Sequence, residues 1–284
     1  MTGTSPPVPC HSAMSVSTPL PADATSDSGR VRLYLWPHRL LYIGPGPCTR
    51  SHRHHAAQVC WGVGGTLRSR AEPRGQWEEW NGFLVLPDRP HAFDATGATV
   101  AMLFRESEGS EYASMRALAG TDDGITPFEP SQYAAMGLAT LASEGGAIDE
   151  ADAICRAWLG LDSIVPRVRD RDARLARALQ LLQASIDRPV RLQSLADALH
   201  VSSSWLSHRF VEETGVPLRR YVVWMRLRRA VEAVLQGASW TEAAHAVGFS
   251  DSAHLSRSFR DNFGTAPSSL LGRRDQISVC FDRG

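Results

Sequence analysis

Two rhythms of apolar and polar positions divide the chain. From Val31 to about Phe104 the apolar runs are short: Arg32–Trp36, Arg39–Ile43, Gln58–Val63, Phe83–Leu86 and Thr99–Phe104 are separated by Gly, Pro and Asn-Gly signals. Many short strands with such turns predict a small barrel or sandwich. After Glu106 the period lengthens. Ser110–Leu118, Ser131–Leu141 and Asp149–Leu159 carry apolar residues at helical spacing, with breaks over Gly120–Pro130 and Ser143–Ala147. Pro166 and the charge-rich run Arg167–Arg174 mark a boundary, and from there to Leu271 the chain reads as helix. The pattern predicts an α+β protein in four parts. These are a disordered tail over 1–29, rich in Ser, Thr and Pro, a β-rich domain with flanking helices over 30–165, an all-α domain over 166–272, and a C-terminal tail over 273–284.

The helical part contains an internal repeat. Leu195–Gly215 and Ala243–Gly264 each read as a short helix, a tight turn and a second helix, and Leu206/Leu255, Phe210/Phe259 and Gly215/Gly264 are each 49 residues apart. Ala196 and Ala244 are small enough for two helices to cross closely. Ser202 and Asp251 are N-caps for the second helix. The Leu and Phe of each copy stand at i, i+4 and form one apolar stripe, and the glycines sit where a helix stops. Each copy is therefore predicted to be a helix-turn-helix. Between them Pro217–Gln236 predicts one helix of ~30 Å, close to the ~34–36 Å of one DNA turn, so two recognition helices could enter successive major grooves.

At this point the sequence resembles a known family. SLADAL (Ser194–Leu199), WLSHRF (Trp205–Phe210), ETGVP (Glu213–Pro217), YVVWMRLRRA (Tyr221–Ala230) and above all AVGFSDSAHLSRSFRDNFGTAPS (Ala246–Ser268) are similar to the DNA-binding domain of AraC/XylS transcription regulators. The resemblance implies that the exposed face of each second helix reads bases: Ser204, Ser207 and His208 in the first, Ser252, Ala253, His254 and Arg257 in the second. Arg257 suits guanine O6/N7 or a phosphate. His208 and Val211 depart from the basic residues frequent in the family, which implies a weaker first copy.

Three histidines fall within four positions, His52, His54 and His55. Alternation along a strand would put His52, His54, Gln58 and Cys60 on one face and His55 on the other. The set Gly46, His52, His54, Gln58 and Gly65 resembles the first motif of the cupin barrel, with Gln58 where metal-binding cupins usually carry Glu. Gly82, Pro87, His91 and Phe93 form a shortened second motif. The resemblance implies a cupin-like barrel that binds a small-molecule effector through His52, His54, Gln58 and His91. Three alternatives stay open for the cluster. His52, His54 and His91 hold a divalent metal, they line a metal-free pocket, or they are structural.

Charge supports two different tasks. The net charge is zero, yet residues 1–166 carry −6 and residues 167–284 carry +6, and all 30 cations are arginine. A basic helical half calls for a polyanion partner. The five cysteines are widely spaced with no CxxC, which speaks against a zinc finger or disulfide framework and fits a reducing cytoplasm. No apolar run approaches a membrane span. The expected protein is a non-enzymatic regulator of double-stranded promoter DNA, controlled by an effector. The resemblance adds RNA polymerase as a partner. A homodimer through helices 131–141 and 149–159 is a further expectation. The competing expectation is a metal-dependent cupin enzyme with a helical appendage.

Overall fold

A computed structural model describes residues 30–73, 75–107, 115–116, 118–119, 124–161, 172–271 and 274–282. The expected N-terminal tail, most of the helix expected over Ser110–Leu118, and most of the boundary segment at Pro166 lie outside the described residues.

The β-rich half contains β1 (Val31–Trp36), β2 (Arg39–Pro45), β3 (Ala57–Val63), β4 (Leu67–Ala71), β5 (Glu78–Trp80), β6 (Gly82–Val85), β7 (His91–Asp94), β8 (Thr99–Arg105) and β9 (Ile125–Pro127). A tenth strand, β10 (Ile277–Phe281), comes from the far end of the chain. The strands form a seven-stranded sheet in the order β10-β1-β2-β8-β3-β6-β9 and a three-stranded sheet in the order β5-β4-β7. Two sheets are thus present where a barrel was expected, and the bridges His52↔His91 and Cys48↔Asp94 tie the segment before β3 to β7.

Every residue of β1 is buried because both of its faces are covered. Val31, Leu33 and Leu35 face the inner core, while Tyr34 and Trp36 face the outer cluster with Leu41, Leu138, Ile154 and Trp158. The outer cover is a helical pair, α1 (Gln132–Ser143) and α2 (Ile148–Trp158). Gly137 lets them close, since a Cβ there would stand 2.7 Å from Ile154 Cγ1. Arg32 fixes the end of α1 by donating to Ala142 O and Ser143 O at 2.5 and 2.7 Å.

The expectation of a C-terminal tail over 273–284 is corrected. β10 runs parallel to β1, with Val31 opposite Ile277 and Leu35 opposite Phe281. The physical reason is an edge: β1 would otherwise present an open ladder of backbone groups, and the apolar alternation Ile277, Val279, Phe281 covers its inner face.

The helical half comprises α3 (Ala173–Ala184), α4 (Leu192–Ala198), α5 (Ser203–Thr214), α6 (Leu218–Leu235), α7 (Trp240–Ala246), α8 (Ser252–Phe263) and α9 (Pro267–Leu271). α6 has 18 residues and spans about 27 Å. It stands between the two helix pairs. Phe210 of α5 meets Tyr221 of α6 with ring centroids 5.3 Å apart, and Trp224 of α6 meets Phe263 of α8 at 5.5 Å. A single apolar cluster runs from Val31 and Phe104 of the β half into Trp224, Phe259 and Leu271 of the helical half.

Candidate functional site: two reading helices and a buried histidine cluster

Both helix-turn-helix units are built by their local sequence. Ser202 Oγ accepts the Trp205 N–H at 3.1 Å, and Asp251 Oδ1 accepts the His254 N–H at 2.6 Å. The His254 backbone hydrogen bond, helped by the Ser250 hydroxyl, holds the Asp251 carboxyl below its usual range. Gly215 and Gly264 end the helices at φ 76° and 69°, in the left-handed region that favours glycine. Leu206, Phe210, Leu255 and Phe259 are buried, as are Ala196 and Ala244.

The opposite faces are open. Ser204, Ser207 and His208 are exposed on α5; Ala253, His254 and Arg257 are exposed on α8, with Ser252 half-buried at its start. His254 also leans on its own turn, edge-on to Phe249 with ring centroids 5.1 Å apart. Several arginines are structural instead. Arg226 donates to the Ile186, Gly248 and Arg188 carbonyls, and Arg229 to Gln183 O. Arg209 pairs with Glu212, and Arg220 with Asp88 of the β half.

The histidine cluster forms, though only part of it is strand. Strand β3 starts at Ala57, so His52 and His54 precede the regular ladder, and the residue three dozen positions on, His91, is brought in by β7. The ligand atoms of His52, His54 and His91 all lie within 4.8 Å of one another. Each ring is anchored by its own neighbourhood. Nδ1–H donates to a carbonyl two residues away: Arg50 O at 2.9 Å from His52, Ala56 O at 2.7 Å from His54, and Arg89 O at 2.9 Å from His91.

These anchors place the ring proton on Nδ1 and leave Nε2 with its lone pair. Burial, with the neighbouring imidazoles adding to it, lowers His52 to about 3 and lowers His91 well below the ordinary value. Burial takes His54 to about 4 against the raising effect of the Gln58 hydrogen bond. The three rings are therefore neutral at pH 7. The Gln58 carboxamide lies 2.8 Å from His54 Nε2 and 3.1 Å from His91 Nε2, and on its other side 3.1 Å from the Cys60 Sγ. Two lone pairs facing one amide can be satisfied in two ways. With Oε1 toward the rings, as it stands here, the Gln58 NH2 donates to Cys60 Sγ and the oxygen would join the Nε2 atoms around a cation; turned over, the NH2 would donate to the rings. Burial pushes the Cys60 thiol up, so it stays a thiol and not a thiolate. His55 lies edge-on to Tyr221, with ring centroids 5.0 Å apart.

The sequence reading missed what covers this cluster. Trp224 of α6 sits 5.8 Å from His54, and Phe263 of α8 sits 6.4 Å from it. Trp224 Nε1–H donates to Glu106 Oε1 at 2.9 Å, and Arg228 Nη1 donates to the same oxygen at 2.8 Å. Arg228 also donates to the Trp36 and Pro37 carbonyls. Glu106 and Arg228 are 3% and 9% exposed, so this is a buried ion pair between the halves. Beside it an apolar crevice encloses about 410 Å3 including its open mouth, walled by Leu40, Phe104, Val231 and Phe263. Among the aromatics of the β half, Phe83 and Phe93 face the inner core, whereas Trp36 and Trp61 face α1 and α2, and Trp77 is exposed.

Known proteins share parts of this architecture. Residues 195–273 match the model of a helix-turn-helix domain family. The chain is 32% identical over 103 residues to the uncharacterized HTH-type transcriptional regulator YidL of Escherichia coli (strain K12), covering 36% of this chain and 35% of that protein. It is 39% identical over 90 residues to the transcriptional activator RhaS of Pectobacterium carotovorum (strain PC1), covering 31% and 32%. Residues 195–273 are a helix-turn-helix domain similar to the one these transcription regulators carry. The match spans about a third of the length of these curated relatives. Over a longer stretch, the helix-turn-helix domain and its β-rich partner share a fold with ToxT from Vibrio cholerae O395: the TM-score is 0.55, with 13% identity, over 87% of this chain and all of that one. The mixed α+β architecture agrees with that likeness.

Proposed function

We propose that the chain is a one-component transcription regulator: the AraC-type domain binds double-stranded promoter DNA, and the β-rich domain senses a small molecule. One observation carries this. A paired helix-turn-helix domain with both reading faces open is docked by α6 and α8 directly over a buried polar cluster of the β-rich domain. A ligand that changes the cluster or the adjacent crevice would meet α6 and α8 without any intermediary. Ser204, Ser207, His208, Ser252, Ala253, His254 and Arg257 are the proposed base- and phosphate-facing residues. His52, His54, Gln58 and His91 are the proposed effector-side residues.

ToxT has been crystallised with an unsaturated fatty acid bound. For this chain, the apolar walls of the interdomain crevice support an effector with an apolar body. The relatives named as activators support activation through contact with RNA polymerase. The outer face of α1, where Tyr133 and Met136 are 66% and 59% exposed, is the proposed homodimer contact.

The donor set also fits a late first-row divalent cation. Three imidazoles converge, each oriented by a backbone carbonyl as metal-bound histidines are, and Gln58 offers a neutral oxygen. The cation would polarise whatever effector oxygen reached it. The enzyme alternative is disfavoured by the two capped helix-turn-helix units, for which it offers no role.

The test is binding of the full chain to duplexes from the neighbourhood of its own gene over a salt series. The regulator gives sequence-preferring binding whose logarithm falls linearly with log salt. No preference over random competitor DNA overturns it. Elemental analysis of protein purified without an affinity tag decides the metal.

A further inference from the structure

The docked arrangement poses a question of its own. If the β-rich domain only sealed the AraC-type domain away, the reading faces would be covered, yet Ser204, Ser207, Ala253 and Arg257 are exposed. What the β-rich domain holds instead is the far end of each reading helix. Ser107 Oγ–H donates to Thr214 O, at the last turn of α5, at 2.5 Å. The Arg50 N–H donates to Gly264 O, the C-cap of α8, at 3.0 Å. The two grips fall at matching ends of the repeat. Contact at the second is close: a Cβ on Gly264 would stand 2.6 Å from Arg50 O and 2.6 Å from His52 Nδ1. Between the grips, Glu106 holds α6 through Trp224 and Arg228. Past the domain, β10 returns the chain to the same sheet, beside β1.

We propose that the β-rich domain is a brace that sets the distance and rotation between the two reading helices, with Ser107, the Arg50 peptide and Glu106 as its positioning residues. The proposal rests on the regulator reading above and deepens it: the residues that determine which half-site spacing is accepted lie outside the AraC-type domain. Within the helical half, α6 meets α5 through the Phe210–Tyr221 ring pair and α8 through the Trp224–Phe263 pair. DNA makes spacing a sensitive readout, because each added base pair rotates one half-site against the other by about 34° and shifts it by about 3.4 Å. The brace also passes through the histidine cluster, since the Arg50 carbonyl that anchors His52 belongs to the segment that grips Gly264.

The experiment is in vitro selection from a random-sequence duplex library with the full-length chain, wild type and variants, reading the spacing between the two half-motifs. Ser107→Ala removes the grip on α5. Gly264→Ala forces α8 away from Arg50 and His52, and its melting is checked beside wild type. Because that glycine has positive φ, Glu106→Gln is the second variant should Gly264→Ala fail to fold. Wild type is expected to enrich one spacing over its neighbours by about tenfold, and each folded variant by threefold or less, roughly a third of that discrimination, with the half-motifs unchanged. Folded variants that keep the wild-type spacing profile overturn the brace and assign spacing to α6. A wild type that enriches a single half-motif overturns it too. A wild type that enriches no motif overturns the regulator reading itself, a result distinguishable from both.

Discussion

Replacing Arg228 by Met probes the docking of the two halves most directly. The side chain keeps its stem packing and loses its charge. Burial pushes the Glu106 carboxyl up, but the Arg228 guanidinium, the His38 Nδ1–H and Trp224 outweigh it and hold the group at about 2, against an ordinary 4.5. Removing one partner of a buried pair costs about 3–5 kcal/mol in general. Arg228→Met also strips donors from the Trp36 and Pro37 carbonyls. The expected loss of unfolding free energy at pH 7 is about 3–5 kcal/mol, measured by urea denaturation with tryptophan fluorescence. The sign of the pH dependence follows from a depressed carboxyl: its stabilisation is complete above about 4.5 and disappears as pH falls toward about 2. The gap between wild type and variant therefore narrows over that window. In a double-mutant cycle with Glu106→Gln the two losses are less than additive. A gap below about 1 kcal/mol at pH 7, the range of an exposed pair, or a gap that ignores pH, would show that this latch does not hold the halves together.

Arg257→Ala is expected to weaken specific DNA binding by about 1–3 kcal/mol, measured by fluorescence anisotropy on a selected operator; unchanged affinity removes it from the reading face. The depressed histidines make the fold acid-labile: stability is full above about 6.5 and falls with decreasing pH toward the folded values of about 3 and about 4, by about 1.4 kcal/mol per pH unit for each ring that titrates. His54→Gln should flatten that slope in melts run between pH 7 and 4.5. Gly248→Ala should destabilise by at least about 1–2 kcal/mol, because the residue has φ 81° and its Cβ would stand 2.5 Å from Asp187 O; a neutral melt would refute the close approach. Ser202→Ala should cost about 1 kcal/mol through the lost α5 cap, checked by calorimetry.

The sequence by itself determined what is local. The caps Ser202 and Asp251, the stripes Leu206/Phe210 and Leu255/Phe259, and the stops Gly215 and Gly264 act within one or two helical turns, so periodicity and residue chemistry reveal them and their repetition identifies the helix-turn-helix pair. The ends of the main strands of the β half were legible for the same reason, since alternation and turns are short-range. Tertiary structure alone decided the rest. Nothing near Ile277 announces β1, which it joins across almost the whole chain, and nothing near Glu106 announces Arg228 and Trp224. The cupin-like motifs already grouped His52, His54 and His91, the bridge to β7 is what brings His91 beside them, and only the docking of α6 and α8 turns the three rings from a pocket lining into a covered interface. Hydrogen-bond anchors, buried charge and domain docking depend on which surfaces meet in space, and one-dimensional spacing carries no record of that.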